Sequence, residues 1–440
     1  VVSAPLRFGE GSATGCDRFD YAPGQPNLYL MMRFKQDLVA EHGLTAGAEI
    51  YRATLSKQTV SEIVERDLEG LYDYCRRFAV VFEEITPAGI PFRVEPPPVI
   101  GPGNHRPIEG ETRAFYVAAV ADGRARGRSS LIEAGGRILA DVQGDELERI
   151  DDEVEFDSAV FHRQDRRVWS IRSDLRYPRA FKEAVSLLGC RTDFFGDWIC
   201  ETITKYVAAS RTGLLPPAPI LIDASMPASH RQALEMMLPQ PVEIVEIPAF
   251  AIVEAERLWV IPSIAHTPFH QVLNARFKWD YATTAPAAFV PVRREMLRRA
   301  DRALGPVILR RKLFLARHAF RHRKLVNKDE IEAIAAGHGF AIVYPEDLAF
   351  ADQVRLFRDA SHVVAPEGSA MYLYFFRSDF TRICVLNHPL TDGLVAYEDG
   401  DVDLTVISGP QVGPLKGRSQ DMDYEIDPRV FDRFLAEWAS

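Results

Sequence analysis

The stretch LFLARHAFRHRKLVNKDE sets Arg317, Arg321, His322, Arg323 and Lys324 within eight residues, directly after an apolar run. In a chain of formal charge -10, such a cluster points to an anion site, because guanidinium groups offer paired N–H donors to phosphate oxygens. A solvated basic loop fits the same composition. A second stretch, SHVVAPEGSAMYLYFF, breaks its apolar run at Pro366-Glu367-Gly368-Ser369 and resumes with helical spacing. Gly368 and Ser369 at a helix start expose backbone N–H groups able to hold a phosphate, although one Gly-Ser pair is a weak signal by itself. At neighbouring strand ends, the two stretches together suggest a nucleoside diphosphate, whose two phosphates need both a donor nest and countercharge.

Other candidates carry less. His266 and His270 in HTPFH have the i, i+4 spacing of metal ligands, but Pro268 between them spoils a helix, so a polar loop is the plainer reading. Asp401-Val402-Asp403 has an Asp-x-Asp form and is expected simply to open the strand DLTVIS. Cys16, Cys75, Cys190, Cys200 and Cys384 are odd in number and never spaced as CxxC, which indicates neither a disulfide framework nor a zinc knuckle. No GxSxG elbow, P-loop or GxGxxG fingerprint is present.

The elements that must position these groups follow from the apolar pattern. After about residue 185, short β-branched runs alternate with helices: PILIDA (219 to 224), a helix near 227 to 238, VEIVEI (242 to 247), RLWVIP (257 to 262) and a helix from about Pro286 to Leu304. Then come KLFLAR (312 to 317), a helix capped by Asn327 with Glu330 in a capping-box position, FAIVYP (340 to 345), a helix carrying Phe350, Val354 and Phe357, SHVVAP (361 to 366), a helix from Ser369, and TRICVL (381 to 386). Buried runs of this kind predict parallel sheets covered on both faces, in two doubly wound, Rossmann-like lobes facing a cleft, with ligands beyond the carboxyl ends of the strands. Period-two runs from Arg113 to about Ile171 predict a small antiparallel β region. In residues 1 to 94, Val60, Ile63, Val64, Leu68 and Leu71 fit one helical face. Glu95 to Gly110, with five prolines and three glycines, reads as a linker or an extended strap. The expected divisions are an N-terminal α+β extension over 1–110, a β-rich region over 111–184, and lobes over 185–300 and 301–440.

With 440 residues, 47% hydrophobic and 26% charged, the chain has the balance of a soluble globular protein of two or three domains. No run approaches a membrane span, and residues 1 to 20 lack a signal pattern. The chain does not open with Met, consistent with a further N-terminal segment. Its acidic balance argues against nucleic acid or an anionic membrane as main partner, and a reducing cytoplasm is the expected compartment.

The segment from Lys312 to Phe376 resembles the C-terminal half of glycosyltransferase family 61. That family typically shows a strand ending in Ser-Arg, an Arg-Arg-Leu-x-Asn helix entry, a Tyr-Pro-Glu-x-Leu turn and a Pro-His-Gly-Ala helix start. Here these stand as Ala316-Arg317, Arg323-Lys324-Leu325-Val326-Asn327, Tyr344-Pro345-Glu346-Asp347-Leu348 and Pro366-Glu367-Gly368-Ser369-Ala370. Upstream, DFFGDWICE (193 to 201) resembles the Asn-Phe-Gly-His-Trp motif of the family, and RLWVIPS its Leu-x-Pro-Ser strand end. The resemblance spans about residues 115 to 390.

It implies an α/β fold of GT-B type, and an inverting transfer of sugar from a nucleotide-sugar donor, expected to be UDP-linked, to a glycan or polysaccharide hydroxyl. No metal or other cofactor is expected. Donor and phosphate binding would fall to Arg317, Arg323, Lys324, Asn327, Glu346, Glu367, Gly368 and Ser369. Both usual motif histidines are replaced, by Asp197 and Glu367. Asp197 serves as general base if burial raises its pKa, with Glu201 one turn on along the same helical face; as a cap of the helix starting near Trp198 it is structural. His266, after the VIPS strand end, is the reserve base. Glu367 accepts hydroxyls of ribose or sugar, pairs with Arg317 or Arg323, or marks a site that no longer binds a nucleotide-sugar. The last reading makes the chain a catalytically silent sugar-binding or scaffold subunit of a polysaccharide assembly system.

Overall fold

The computed structural model describes residues 28–54, 62–102, 107–144, 146, 154–224, 226–264, 286–305, 311–318, 323–387, 402–413 and 422–439. His266, His270, Arg321, His322 and Asp401 lie outside the described residues. Among the described residues no helix is long and apolar enough to cross a membrane.

The chain is a mixed α/β protein built on two sheets. A kinked helix, Leu28–Thr54, precedes β1 (Glu62–Gly70), the helix Leu71–Phe78 and β2 (Val81–Thr86). Of the single helical face expected over Val60 to Leu71, Val60 lies outside the described residues, and Ile63 to Leu71 form a strand that leads into a helix. Pairing decides it: β10 (Arg167–Arg172) lies antiparallel to β1 with Ile63 opposite Ile171, and such tertiary pairing overrides a local period. β3 (Pro91–Val94), β4 (Val99–Ile100) and β5 (Ile108–Glu111) follow. The Pro/Gly-rich stretch thus behaves as a strap, since β4 pairs with a strand more than 300 residues on, Val99 opposite Val406.

β6 (Phe115–Arg126), β7 (Ile132–Ala134), β8 (Arg137–Ala140), β9 (Val160–Gln164) and β10 form the expected antiparallel region. They belong to one 11-stranded sheet with β11 (Phe181–Ser186), β12 (Ile220–Asp223), β13 (Ile244–Ile247) and β14 (Ile252–Val260). The quartet β13-β12-β11-β14 is parallel, β1 also runs parallel to β8, and β14 runs antiparallel to β6. The first block is therefore only partly parallel, because the long buried run of β6 offers β14 a second neighbour.

The second sheet is parallel throughout, in the order β16-β15-β17-β18-β19-β4. Its strands are β15 (Arg311–Leu315), β16 (Ala341–Val343), β17 (Ala360–Pro366), β18 (Arg382–Asn387) and β19 (Asp403–Ser408). A short ribbon, β20 (Gln411–Val412) with β21 (Asp423–Tyr424), and the helix Pro428–Trp438 complete the chain. The segment from Ser369 is a 3₁₀ helix to Phe376. Asn327 precedes the helix Lys328–Gly337 but makes no side-chain cap; its amide instead donates to the Ile426 carbonyl at 2.7 Å and its oxygen accepts from the Ile426 N–H at 3.3 Å.

One apolar cluster runs through both halves, joining Trp198 and Val207 to Phe289, Leu313, Met371 and Phe376. The helix Pro286–Leu304 fastens the halves together. Arg299 reaches the Met237 carbonyl and Ser210 on the first side, while Arg293 reaches the Arg377 carbonyl and Asp379 on the second.

Candidate active site

Each sheet has a point where the winding reverses. In the first, β11 leads outward to β12 and β13, and β14 returns on the other side of β11. In the second, β15 leads to β16, and β17 returns on the other side of β15. Such reversals open a crevice at the carboxyl ends of the two diverging strands. The candidate residues gather at these two crevices.

At the second crevice, Arg317 follows β15 and Glu367-Gly368 follows β17. The Arg317 guanidinium donates to the Glu367 carbonyl at 3.0 Å, and a Cβ on Gly368 would stand 3.0 Å from it. A side chain at this position would require the Arg317 guanidinium to shift by a few tenths of an ångström. Burial, and then the nearby charge of Arg323, hold the Arg317 guanidinium below its usual range. Arg323 itself adopts φ 51°, in the left-handed region, and its Nε is buried without a hydrogen-bond partner among the described residues. A desolvated Arg317 and a second cation, Arg323, held in the left-handed region, lie close enough to interact, an arrangement that favours an anion between them. The Glu367 carboxylate also turns into this region, influencing Arg317, Tyr424 and Tyr372, and its Oε2 is buried with no hydrogen-bond partner among the described residues.

The other residues of this half support the turn. Glu346 accepts the His318 N–H at 2.7 Å, and the His318 ring stacks on Tyr344 at 4.4 Å between centroids. The Lys324 side chain is exposed, while its backbone N–H donates to Asp423 at 3.0 Å. Ser369 is exposed beside Gly368. Asn327 is occupied with Ile426, as described above.

At the first crevice, Phe195–Asp197 forms one helical turn that continues as a π-helix, Trp198–Ile203. Asp197 stands at the N-cap position of the π-helix, as expected, but its side chain makes no cap hydrogen bond. Its carboxylate instead takes two hydrogen bonds from Arg191, at 2.7 and 3.0 Å. Arg191 also approaches Glu201 at 3.5 Å. Asp197, Cys200 and Glu201 present one ligand atom each within 4.8 Å of one another, a spacing open to a divalent ion, and Arg191 supplies a cation to the same carboxylates. Asp197 and Glu201 line a cavity of about 150 Å³ with Lys205, Asp141 and Ser263.

Behind the cavity, Asp223 at the end of β12 holds two loops. It accepts the Gly189 N–H at 3.0 Å, the Thr192 hydroxyl at 2.5 Å and the Arg128 N–H at 2.5 Å. Burial pushes its carboxyl up to about 6.

The two crevices meet. A Cβ on Gly196 would stand 2.7 Å from the Tyr372 ring and 3.6 Å from the Ser369 hydroxyl, so the Asp197 turn lies directly on the 3₁₀ helix that begins at Ser369. Tyr372 sits between them, its phenol pushed well up by burial and by the nearby Cys200, Asp197, Glu367 and Glu201. Sequence reasoning missed Arg191, Lys205, Asp223 and Tyr372. Arg191 and Lys205 carried a usable signal, since Arg191 follows a strand end and Lys205 continues the Asp197, Glu201 spacing of four.

A search of the curated proteins finds no match to the chain. The family model described as Glycosyltransferase 61 matches residues 195–384, a span that starts at the Asp197 turn and contains Arg317, Arg323 and the Glu367–Ser369 turn. Residues 195–384 of this chain therefore carry a Glycosyltransferase 61 domain.

Proposed function

We propose that the chain is an inverting glycosyltransferase of GT-B type, moving a sugar from a nucleoside diphosphate to a glycan or polysaccharide hydroxyl in the cytoplasm. The convergence of Arg317 and Arg323 under the Gly368 turn carries this reading. A diphosphate leaving group develops negative charge as the glycosidic bond breaks, and preorganised cations and N–H groups at that place lower the barrier. The donor lies at the second crevice, with its phosphates on Arg317, Arg323 and the Gly368-Ser369 amides, and Glu367 Oε2 takes a hydroxyl of the ribose or the sugar.

The acceptor hydroxyl approaches from the first crevice, where Asp197 takes its proton. Arg191 orients this carboxylate through its two hydrogen bonds, which holds an acceptor oxygen in place for the proton. The Gly196 contact with Tyr372 and Ser369 brings base and donor turn together, as a single in-line displacement requires.

Calorimetric titration with UDP, GDP, CMP and ADP tests the donor site. One nucleotide is expected to bind at about 10 to 100 µM, roughly -5.5 to -7 kcal/mol, and Arg317→Ala is expected to weaken it at least tenfold. Unchanged affinity in the folded variant removes Arg317 from the site. If none of the four binds, the silent sugar-binding reading takes over, with the buried Glu367 carboxylate as its reason.

A further inference from the structure

The cavity beside Asp197 has a chemistry of its own. Its walls come largely from outside the matched span: Leu71, Leu131, Asp141 and Asp157 all precede residue 195. Its volume, about 150 Å³, falls well under the roughly 300–1,000 Å³ of sites for drug-sized ligands, and suits one sugar ring. Apolar side chains such as Leu131, Val142 and Phe156 line one part, and charged groups the other.

The charged groups are mostly committed. Asp141 accepts the Ser263 N–H at 2.8 Å and Arg113 at 3.1 Å, Asp157 accepts the N–H groups of Ser130 and Ala159 at 2.7 and 2.9 Å, and Asp197 holds Arg191. Lys205 differs. Burial lowers its pKa, while Asp141 and Glu201 act on it only through space. An ammonium with protons to give, beside carboxylates whose oxygens accept, complements a vicinal diol, whose oxygens accept and whose hydroxyls donate. Four carboxylates (Asp141, Asp157, Asp197 and Glu201) against two cations (Arg191 and Lys205) line the cavity. That balance repels an anionic sugar.

We propose that this cavity binds one neutral sugar ring of the acceptor, that Lys205 and Asp141 read a vicinal diol on it, and that uronic acids are excluded. The proposal rests on the acceptor side of the function proposed above, and its test is independent of the donor side. Saturation-transfer NMR on the full chain would use the methyl pyranosides of glucose, galactose, mannose and xylose, beside glucuronic and galacturonic acid. At least one neutral pyranoside is expected to bind in the millimolar range, and the uronic acids at least tenfold more weakly.

Lys205→Met is expected to weaken the neutral sugar at least tenfold. Leu131→Trp, which fills the cavity without touching a charge, is expected to abolish binding, with circular dichroism as the check on folding. Absence of binding by every neutral pyranoside, a uronic acid that binds as well as its neutral counterpart, or full binding by folded Leu131→Trp overturns the proposal. Nucleotide binding without pyranoside binding would sink this inference and spare the donor site; the reverse result would spare this inference alone.

Discussion

Two carboxylates show how position sets role. Asp197 is exposed enough to meet an acceptor and is pinned by a bidentate guanidinium, whereas Asp223 is buried to 1% and spends its oxygens on loop donors. Asp197→Asn keeps the shape but loses the basic lone pair, so turnover is expected to fall by about 10² to 10⁴ while nucleotide affinity holds; a variant with wild-type turnover removes Asp197 as base. For Asp223 the linkage runs the other way from a salt-bridged carboxylate. Its folded pKa, about 6, is raised above the usual 3.8. Its stabilising contribution is thus full below about pH 4 and is lost as pH rises through about 6. Asp223→Asn removes that dependence, so the variant's Tm relative to wild type is expected to improve between pH 4.5 and pH 7.5. A difference that stays flat across this interval contradicts it.

At the scale of elements, β4 is the least expected part of the architecture. Two residues, Val99 and Ile100, extend the second sheet from a Pro/Gly-rich stretch, and the chain leaves that strand through Gly101 at φ 108°. A Cβ at Gly101 would overlap the Ser408 carbonyl oxygen. Backbone cannot yield as a side-chain tip can, and the φ itself is strained for other residues. Gly101→Ala is therefore expected to cost about 1–3 kcal/mol, read as a lower midpoint in thermal or urea denaturation. An unchanged midpoint means that the strap contributes little. The π-helical turn over Trp198–Ile203 is a second local departure. Such turns occur mostly at functional sites, and here it keeps Asp197, Cys200 and Glu201 on one side of the chain.

Across the whole molecule, the N-terminal region is part of both sheets. β1 and β2 pair with β8, β10 and β6, and β4 with β19, while Lys35 buries its ammonium against the carbonyls of Glu155 and Val160 at 2.6 Å each. A chain starting at residue 111 would bare the edges left by three strands, and such edges pair with other chains. Residues 111–440 alone are expected to aggregate; a soluble, folded monomer on gel filtration would show the N-terminal region to be dispensable. The parallel block and its strand ends were legible in the sequence, because buried β-branched runs and helical periods are local properties that each segment carries by itself. Arg317 and Gly368 were legible for the same reason, as residues at the ends of such runs. The β1 strand, the pairing of β4 with β19, the Arg191 clamp on Asp197 and the walls of the cavity were not. Each depends on which distant segment supplies a partner, and that choice is made by tertiary pairing and packing.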